Sequence, residues 1–399
     1  MLYRKLGRTG VDTSVISLGA EHLEKEDRET IKDVVSTAVD NGVNLIDLVG
    51  MVAPEARDNM GAALRGIREK VMLSAHFGAT CQNGEYHKTR DTSLCETSFY
   101  DLLSRLRTDY IDILMFHWVD EELDYDEVFD RQGYLGLALR LKQEGKARFF
   151  ALSTHRTSIA MKAMRSGLMD AIMFPVNPAH DLLPGDISGD IGLIRMFQKD
   201  TYRQLSEHAI EPAEKRKELY LACQESNVGL IAMKPYAGGL LLQDGNPSDF
   251  LKGRGLLHPG RLALSPVQCL SYVLSQPGIT TALTGCRKPE EVEAAIAYVD
   301  AGQEQRDFST IDVNTLWKLR KSCVYCNHCL PCPSEIEIGS LMRLLDAAEH
   351  NLNKKVTAEY MALTKKASDC TYCGICTERC PFDVAVLDRM ERAIQVFGC

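Results

Sequence analysis

The chain carries CVYCNHCLPCP at residues 323–333 and CTYCGICTERCP at residues 370–381. These two runs hold eight of its fourteen cysteines, and each run ends in a cysteine followed by proline. The C-x2-C-x2-C spacing at the start of each run brings three thiolates onto one loop. Such a loop can bind three irons of a cubane, and a more distant fourth cysteine completes the site. The two runs therefore predict two [4Fe–4S] clusters and single-electron chemistry.

The spacing also predicts which cysteines share a cluster. In the bacterial two-cluster ferredoxin pattern, the fourth cysteine of each run ligates the other cluster. One predicted ligand set is Cys323, Cys326, Cys329 and Cys380, and the other is Cys370, Cys373, Cys376 and Cys332. Zinc ribbons also use paired cysteines, but four evenly repeated cysteines with a trailing proline, occurring twice, favour iron and sulfide.

The overall composition is that of a soluble globular protein. Hydrophobic residues make up 45% and charged residues 25% of the 399 positions, and the net charge is −9. This charge argues against binding to nucleic acid or to anionic membranes. Because no apolar stretch of about 18 residues and no signal-peptide core are present, we predict a cytoplasmic protein without membrane insertion. Cysteines in that compartment serve metal or redox chemistry, and oxygen-sensitive clusters favour an anaerobic or reducing setting.

Up to about residue 310, short apolar runs alternate with longer helical patterns. The predicted strands are Val15–Leu18, Val43–Asp47, Val71–Ala75, Ile111–Phe116, Arg148–Leu152, Ala171–Phe174, Val228–Met233 and Thr281–Leu283. Continuous apolar runs are typical of strands buried on both faces, and eight β-then-α units are the number that closes a TIM barrel. The predicted fold class is therefore α/β, a (β/α)8 TIM barrel with a C-terminal α-helical ferredoxin-like domain.

Two long segments interrupt the barrel pattern, and the C-terminal part changes character. Pro178–Pro212 and Gly238–Leu264 are too long for ordinary βα loops, and both follow strands at the face where barrels carry their chemistry. Helical patterns flank the cysteine runs at Val313–Lys321, Ile338–His350 and Ala358–Lys366. We predict a barrel domain over residues 1–312 and a helical domain with both clusters over residues 313–399.

Five segments of the barrel region resemble the aldo/keto reductase family. They are YRKLGRTGVDTSVISLGAE from Tyr3, NLIDLVG from Asn44, DYIDILMFHW from Asp109, LIAMKPYAGGLL from Leu230 and TGCRKPEEVE from Thr284. They occur in the family's order, and together with the cysteine runs the whole chain resembles the iron–sulfur-containing branch of that family. The resemblance implies an oxidoreductase with its active site at the C-terminal ends of the barrel strands.

The resemblance carries over only part of the family's catalytic tetrad of Asp, Tyr, Lys and His. Asp47 matches the aspartate and His117 the histidine, whereas His76 stands at the lysine position. The tyrosine position, five residues after Asp47, is Val52, which cannot transfer a proton. Histidine titrates near neutrality and suits proton transfer. We therefore predict that Asp47, His76 and His117 form the catalytic acid–base group in place of the missing tyrosine and lysine.

The family's nicotinamide contacts are mostly replaced in this sequence. Met173 stands where the family has a glutamine, Met233 where it has a stacking aromatic residue, and Ala294–Ala295 where it has a Glu-Asn pair. The remaining predicted cofactor-binding residues are Ser153, Thr154, Lys234, Gly238, Gly239, Arg287 and Lys288. Among them, Lys234 could also hold a substrate carboxylate or phosphate.

These features predict an enzyme, an iron–sulfur oxidoreductase. It would pass electrons between a ferredoxin-type carrier and a small substrate or cofactor at the C-terminal mouth of the barrel. Glu21, His22 and His155 are predicted to face the same mouth. The predicted cofactors are two [4Fe–4S] clusters, with NADP(H), a flavin or neither in the barrel. The alternatives are an NAD(P)H-dependent aldehyde or ketone reductase with an altered acid, and a non-catalytic electron-transfer subunit.

Overall fold

The computed structural model describes residues 1–82, 85–181, 213–239, 241–242, 264–309, 323, 329–380 and 384–399. Most of the two long segments, the predicted helix at 313–321 and the predicted ligand Cys326 lie outside these residues. The chain divides into two compact units. The first comprises Met1–Asn177, Glu214–Pro235 and Pro266–Phe308, and the second comprises the other described residues.

The first unit contains a closed barrel of eight parallel strands, which confirms the predicted fold class. Its strands are β3 (Ile16–Gly19), β4 (Leu45–Asp47), β5 (Met72–Phe77), β8 (Ile111–Phe116), β9 (Ala147–Ser153), β10 (Ala171–Pro175), β11 (Gly229–Met233) and β12 (Ile279–Gly285). The strands follow chain order around the barrel, and β12 pairs with β3 to close it, with Ala282 opposite Ile16. All eight predicted strands are present.

Helices follow the strands and cover the outside of the barrel. They are Arg28–Asp40, Pro54–Ala63, Thr92–Leu106, Glu122–Val128, Tyr134–Gln143, Thr157–Arg165, Ala213–Glu225, Pro266–Ser275 and Pro289–Ile296. Aspartates begin two of these helices, because the side chain of Asp27 accepts from the backbone N–H of Thr30 at 2.8 Å and that of Asp91 from Leu94 at 3.0 Å. Such caps satisfy N–H groups that have no partner within the helix.

The barrel interior is filled by apolar side chains, which is why the strands read as continuous apolar runs. The interior cluster contains Leu6, Leu45, Met72, Ile113, Met115, Ala151, Ala171, Met173, Ile231 and Leu283. Leu6 comes from the loop of an N-terminal hairpin formed by β1 (Tyr3–Lys5) and β2 (Asp12–Ser14). The barrel is thus a packed core, and polar chemistry is confined to the ends of its strands.

A second hairpin, absent from the predicted elements, directly follows the third barrel strand. It pairs β6 (Ala79–Gln82) with β7 (Glu85–Lys88) in antiparallel register, with Cys81 opposite Tyr86. Because β5 ends at Phe77, the hairpin rises from the C-terminal end of the barrel. It brings residues from outside the eight strands to the mouth.

Gly61 lies where helix Pro54–Ala63 meets helix Thr92–Leu106 most closely. A Cβ atom on Gly61 would lie 2.2 Å from the carbonyl oxygen of Arg105, which is backbone and cannot rotate away. Gly61→Ala is therefore expected to lower the free energy of unfolding by about 1–3 kcal/mol, the usual cost of overpacking. Urea unfolding followed by circular dichroism measures it. Gly302→Ala, where φ is −75° and a Cβ meets nothing nearer than the Gln305 side chain at 3.9 Å, separates this clash from the general effect of replacing glycine.

The second unit has its own helical core. Its helices after residue 329 are Ile338–Asn351, Lys354–Met361, Ile375–Glu378 and Val386–Phe397. Tyr360 stacks on Phe397 with ring centroids 3.8 Å apart, and its hydroxyl donates to the carbonyl oxygen of Cys399 at 2.7 Å. None of the described helices is both long and apolar enough to cross a membrane.

One predicted helix of this unit is displaced along the chain. The helix expected at Ala358–Lys366 spans Lys354–Met361 instead. The reason is local, because the Asn353 side chain accepts from the N–H groups of Lys355 and Val356 and so begins the helix earlier. The helix expected at Ile338–His350 is observed at Ile338–Asn351.

Candidate active site and cluster-binding loops

Three adjacent barrel strands bring Asp47, His76 and His117 together at the mouth. Asp47 ends β4, His76 is the penultimate residue of β5, and His117 follows β8. His76 Nε2 lies 3.2 Å from both carboxylate oxygens of Asp47, and His76 Nδ1 lies 2.7 Å from His117 Nδ1. The side chains of His76 and Asp47 are only 3% and 1% exposed, so these hydrogen bonds form away from bulk water.

Tyr86, from the second hairpin, extends this group by a fourth member. Its hydroxyl is hydrogen-bonded to His117 Nε2, and the two rings meet edge to face with centroids 5.8 Å apart. In the family, the catalytic tyrosine stands at the position that Val52 occupies in this chain. The sequence analysis looked for a tyrosine only there and missed Tyr86. Val52 itself is buried, at 5% exposure. The barrel mouth therefore does contain a tyrosine, supplied by a different segment of the chain.

One arrangement of protons satisfies every bond in this group, which we call the Asp47–Tyr86 chain (Asp47, His76, His117 and Tyr86). If His76 Nε2–H donates to Asp47, His76 Nδ1 is an acceptor. His117 Nδ1–H then donates to it, which leaves His117 Nε2 to accept from the Tyr86 hydroxyl. Both imidazoles are neutral in this state, and each hydrogen bond points from the phenol toward the carboxylate.

The surroundings of His117 favour its neutral form. Burial, followed by the charges of His76, Arg90 and Lys88, lowers the pKa of His117 well below its ordinary value. Burial also raises the pKa of the Tyr86 phenol above its ordinary value. A neutral imidazole that accepts from a protonated phenol agrees with the proton arrangement above.

A second hydrogen-bonded group, Asp120–His155–Lys234, lies at the ends of other barrel strands. Lys234 Nζ lies 2.9 Å from His155 Nε2, and His155 Nδ1 lies 3.0 Å from Asp120 Oδ2. Asp120 is held in turn by the indole N–H of Trp118 at 2.7 Å and the hydroxyl of Thr154 at 2.9 Å. Burial, with the charge of Lys234, lowers the pKa of His155 to about 4. His155 is therefore neutral near pH 7 and accepts from the ammonium group.

Glu21 and His22 follow the first barrel strand, as predicted for residues at the mouth. The Glu21 side chain reaches solvent at the rim, but protein atoms lie around its carboxyl group and remove part of its hydration. This partial desolvation, opposed by the positive charge of Lys234, raises the pKa of its carboxyl. Asp47 and His76 also influence the Glu21 carboxyl, so it lies within electrostatic range of both hydrogen-bonded groups. His22 lies against Gly285 at the end of β12, where a Cβ would come within 2.4 Å of the imidazole.

The residues predicted to bind a cofactor lie at separate positions in the structure and do not form a single group. Ser153 and Thr154 are buried, and their hydroxyls bond within the protein, to the N–H of Trp118 and to Asp120. Arg287 and Lys288 precede helix Pro289–Ile296, where an anion could bind. The Glu291 carboxylate already accepts from the Arg287 N–H at 2.8 Å.

Two further predicted residues, Gly238 and Gly239, belong to the second unit. They form part of a tight turn with φ values of 67° and 91°. In that conformation side chains other than hydrogen are strained.

The positions of the family's nicotinamide contacts offer a poor fit to that ring. Met173 is 2% exposed and packs with the interior cluster, which Met233 also contacts. Neither thioether can make the hydrogen bonds of an amide or the stacking of an aromatic ring. In addition, Glu26 lies 3.8 Å from Arg287 and weakens that residue's attraction for a nucleotide phosphate.

NADPH is accordingly expected to bind at least tenfold more weakly than to an intact family site, a loss of about 1.4 kcal/mol. Anaerobic fluorescence titration of the holoprotein measures the dissociation constant. The double variant Met173→Gln, Met233→Tyr restores the missing groups and should tighten binding. Stoichiometric binding of NADPH by the unaltered protein would contradict the expectation.

The predicted ligands of the second unit are thiols on loops, a donor set that suits iron–sulfur ligation, although no three of them among the described residues lie close enough together to hold a metal ion. In the second run, Tyr372 and Gly374 have φ values of 54° and 80°, which turn the backbone back on itself. The N–H of Tyr372 donates to Cys370 Sγ at 3.4 Å, a bond that stabilises a thiolate. Five predicted ligands pack at the edge of the helical core, namely Cys323, Cys329, Cys332, Cys370 and Cys380.

Contacts between the two runs support the crossed ligand scheme. The pKa of Cys376 is raised by burial first, and also by the neighbouring thiols of Cys370 and Cys332. Arg379 donates to the carbonyl oxygen of Pro331 at 2.9 Å, which joins the residues preceding the two fourth cysteines. Cys332 of the first run thus lies within electrostatic range of Cys376 in the second run.

Comparisons with known proteins agree with both parts of the chain. Residues 15–180 match the aldo/keto reductase family, and residues 322–385 match the 4Fe-4S dicluster domain. The chain is 22% identical to the aldo-keto reductase YhdN of Bacillus subtilis, covering 79% of this chain and 95% of the relative. It is 24% identical to L-glyceraldehyde 3-phosphate reductase of Escherichia coli, covering 73% and 86%.

A solved structure resembles the barrel as well. The aldo-keto reductase AKR11C1 from Bacillus halodurans, in its holo form, superposes with a TM-score of 0.56 at 21% identity. The match covers 82% of this chain and 99% of that one. The dicluster domain implies two [4Fe–4S] clusters, and the family makes NADP(H) a plausible further cofactor. The chain is an oxidoreductase in which a barrel that matches the aldo/keto reductase family over residues 15–180 is joined to a C-terminal 4Fe-4S dicluster domain.

Proposed function

We propose that this oxidoreductase reduces a small carbonyl substrate at the barrel mouth with electrons from a ferredoxin-type carrier. The observation that supports the proposal is the unbroken hydrogen-bonded chain from Asp47 through His76 and His117 to Tyr86. Tyr86 is the proton donor to the carbonyl oxygen, and the two imidazoles and Asp47 deliver and hold the proton. When bound, the clusters supply electrons one at a time.

The Asp47–Tyr86 chain of hydrogen bonds can store one proton and return it. In the loaded state His76 is an imidazolium against the Asp47 carboxylate, and His117 carries its proton on Nε2. Tyr86 gives its proton to the carbonyl oxygen, His117 Nε2–H restores the phenol, and His76 Nδ1–H restores His117. The imidazolium is stabilised by Asp47 at 3.2 Å. Each step moves a proton along a bond that already exists, so little rearrangement is needed.

The overall reaction balances with a named reductant. Reduction of one carbonyl to an alcohol takes two electrons and two protons. Two molecules of the reduced carrier are each oxidised by one electron, one proton reaches the oxygen from Tyr86, and the second, from solvent, ends on the carbon. A cytoplasmic and reducing setting is part of the proposal, since exposed [4Fe–4S] clusters are damaged by oxygen.

The electron donor decides between this proposal and its alternatives. The holoprotein is assayed anaerobically on aldehydes, ketones and 2-oxo acids, with either reduced ferredoxin or NADPH as donor. We expect turnover with reduced ferredoxin and little with NADPH. Equal rates with NADPH, retained after a cluster is removed by Cys370→Ala, would instead support a conventional reductase. No turnover with either donor would support a non-catalytic electron-transfer subunit.

A further inference from the structure

We propose that Arg90 is a positioning residue, which fastens the hairpin that carries Tyr86 to the strand end that carries His117. The inference rests on the proposed function, because Tyr86 is the acid in that function and His117 is its hydrogen-bond partner. Arg90 contacts the backbone of His117 and not its ring. It therefore acts on catalysis through the other two residues, by keeping the Tyr86 hydroxyl against His117 Nε2.

The hairpin of β6 and β7 needs such a fastening, because its strands are not part of the barrel sheet. In the described part of the chain, the two strands pair with each other and form a separate two-stranded sheet. An isolated two-stranded hairpin is marginally stable at best in water. Tyr86 nevertheless lies within hydrogen-bond distance of His117, so contacts from outside the hairpin have to hold it there.

Arg90 joins the hairpin to the backbone that follows strand β8. It comes shortly after β7, and its Nη2 donates to the carbonyl oxygen of His117 at 2.7 Å and to that of Trp118 at 3.3 Å. Strand β8 ends at Phe116, and the chain turns at Trp118, whose φ is 47°. Beyond the end of a strand, backbone carbonyls need partners from side chains or water. Arg90 is such a partner at the residue that accepts from Tyr86.

The guanidinium of Arg90 is itself held by a carboxylate and an aromatic ring. Its Nε donates to Asp124 Oδ1 at 2.7 Å and its Nη2 to Asp124 Oδ2 at 2.9 Å, a two-point pairing that fixes the plane of the guanidinium. The guanidinium carbon lies over the Tyr134 ring, 5.2 Å from its centroid. Lys88, the last residue of β7, also donates to Asp124 at 2.7 Å. Asp124 thus joins two residues of the hairpin segment to helix Glu122–Val128.

Stability alone is a weak explanation for Arg90. Its side chain is only 5% exposed, and the cost of taking its charge out of water can exceed the attraction of the ion pair. Its Nη1 is buried without a hydrogen-bond partner among the described residues, which adds a further cost. The backbone makes room for this group at Gly78, where φ is 92° and a Cβ would lie 2.7 Å from Nη1. A costly group accommodated in this way beside His117 indicates a role in the geometry of the mouth.

The shape of the guanidinium and its charge have separable effects. The charge of Arg90 opposes the burial that raises the pKa of the Tyr86 phenol, whereas the shape lets one group bond to Asp124 and to the His117 carbonyl together. Arg90→Lys separates the two effects. It keeps a positive charge beside Asp124, so the ion pair that supports folding remains, but an ammonium lacks the planar fork of donors.

Double-variant kinetics test whether Arg90 acts through Tyr86. Arg90→Lys should lower kcat of the ferredoxin-driven reaction by roughly 10²-fold, the effect of a misplacement of about 1 Å, and change KM by less than about threefold. In the Tyr86→Phe background, the same change should lower kcat by less than about threefold more, because the bond that Arg90 positions is already lost. Equal losses in both backgrounds would overturn the inference. Full kcat in Arg90→Lys would overturn it too and assign the effect of Arg90 to its charge.

Nitrogen-15 NMR of the oxidised holoprotein with labelled histidine tests the geometry without any need for activity. The signal of His117 Nε2, identified by its absence in His117→Ala, should move in Tyr86→Phe because its hydrogen bond is removed. Arg90→Lys should move it in the same direction. A signal that stays in place in Arg90→Lys would overturn the inference. A signal that moves, in a protein that never turns over with ferredoxin, would refute the proposed function and leave the positioning of Tyr86 by Arg90 intact.

Arg68 provides a matched control at the other end of the barrel. It donates to the carbonyl oxygen of Tyr110 and to Asp112, both at 3.0 Å, so its bonds are of the same kinds as those of Arg90. Tyr110 and Asp112 lie at the start of β8, away from the mouth. Arg68→Lys should therefore leave kcat and the His117 Nε2 signal unchanged. A loss of kcat as large as that in Arg90→Lys would show general destabilisation and overturn the inference.

Discussion

Replacement of Tyr86 by phenylalanine is expected to lower turnover roughly 10²–10⁴-fold, the usual contribution of a positioned acid. The substitution removes one oxygen atom and leaves the ring against His117. His117→Ala and His76→Ala should cause losses of the same order, because each breaks the path between Tyr86 and Asp47. The assay is ferredoxin-driven reduction of the preferred carbonyl substrate, with kcat and KM determined separately.

Several controls make this result specific. Tyr100→Phe removes a hydroxyl that donates to Glu144 on the protein surface and should leave turnover unchanged. All variants should retain their visible cluster spectrum, since the substitutions lie in the barrel unit. Full activity of Tyr86→Phe, together with loss in His117→Ala, would make His117 the direct proton donor. Full activity of all three variants would mean that proton transfer occurs elsewhere.

Loss of Cys332 is expected to remove one of the two clusters and to reduce the iron content from about eight to about four per chain. The lost cluster should be the one bound by Cys370, Cys373 and Cys376, because the crossed pattern assigns Cys332 to that cluster and Cys332 lies within electrostatic range of Cys376. Anaerobic iron and sulfide analysis measures the change. Cys399→Ala, outside both runs, should keep about eight irons.

Double variants decide which cysteines share a cluster. In the crossed scheme, Cys332→Ala combined with Cys373→Ala still leaves about four irons, because both residues serve one cluster. Cys332→Ala combined with Cys329→Ala should leave almost none. The reverse pattern would establish that each run binds its own cluster. Zinc in place of iron would contradict the cluster assignment itself.

The barrel could be predicted from the sequence because its signal is repeated eight times. Strands buried on both faces have to be apolar throughout, and each run is followed by a helix long enough to return the chain. The least accurate boundary, that of helix Lys354–Met361, depended on a local cap at Asn353 rather than on periodicity. Cap geometry shifts an end by a few residues without changing the fold.

The hairpin that carries Tyr86 left a signal that could have been found. Asn83–Gly84 is the dipeptide most typical of a two-residue hairpin turn, and it lies between two short alternating stretches. Even so, a hairpin in the sequence does not reveal which strand ends its side chains meet. Only the folded mouth joins Tyr86 to His117, since the two residues come from different segments.

The sequence by itself determined the two cluster-binding runs, the eight strands and the convergence of Asp47, His76 and His117. These follow from spacing and chain order, because ligand loops are local and parallel strands end at one face. The tertiary structure alone decided that Tyr86 completes the acid–base chain and that His155 and Asn177 hold Lys234 in place. Those contacts join residues 31, 79 and 57 positions apart. Such distant pairs leave no periodic trace in the sequence and form only when the barrel closes.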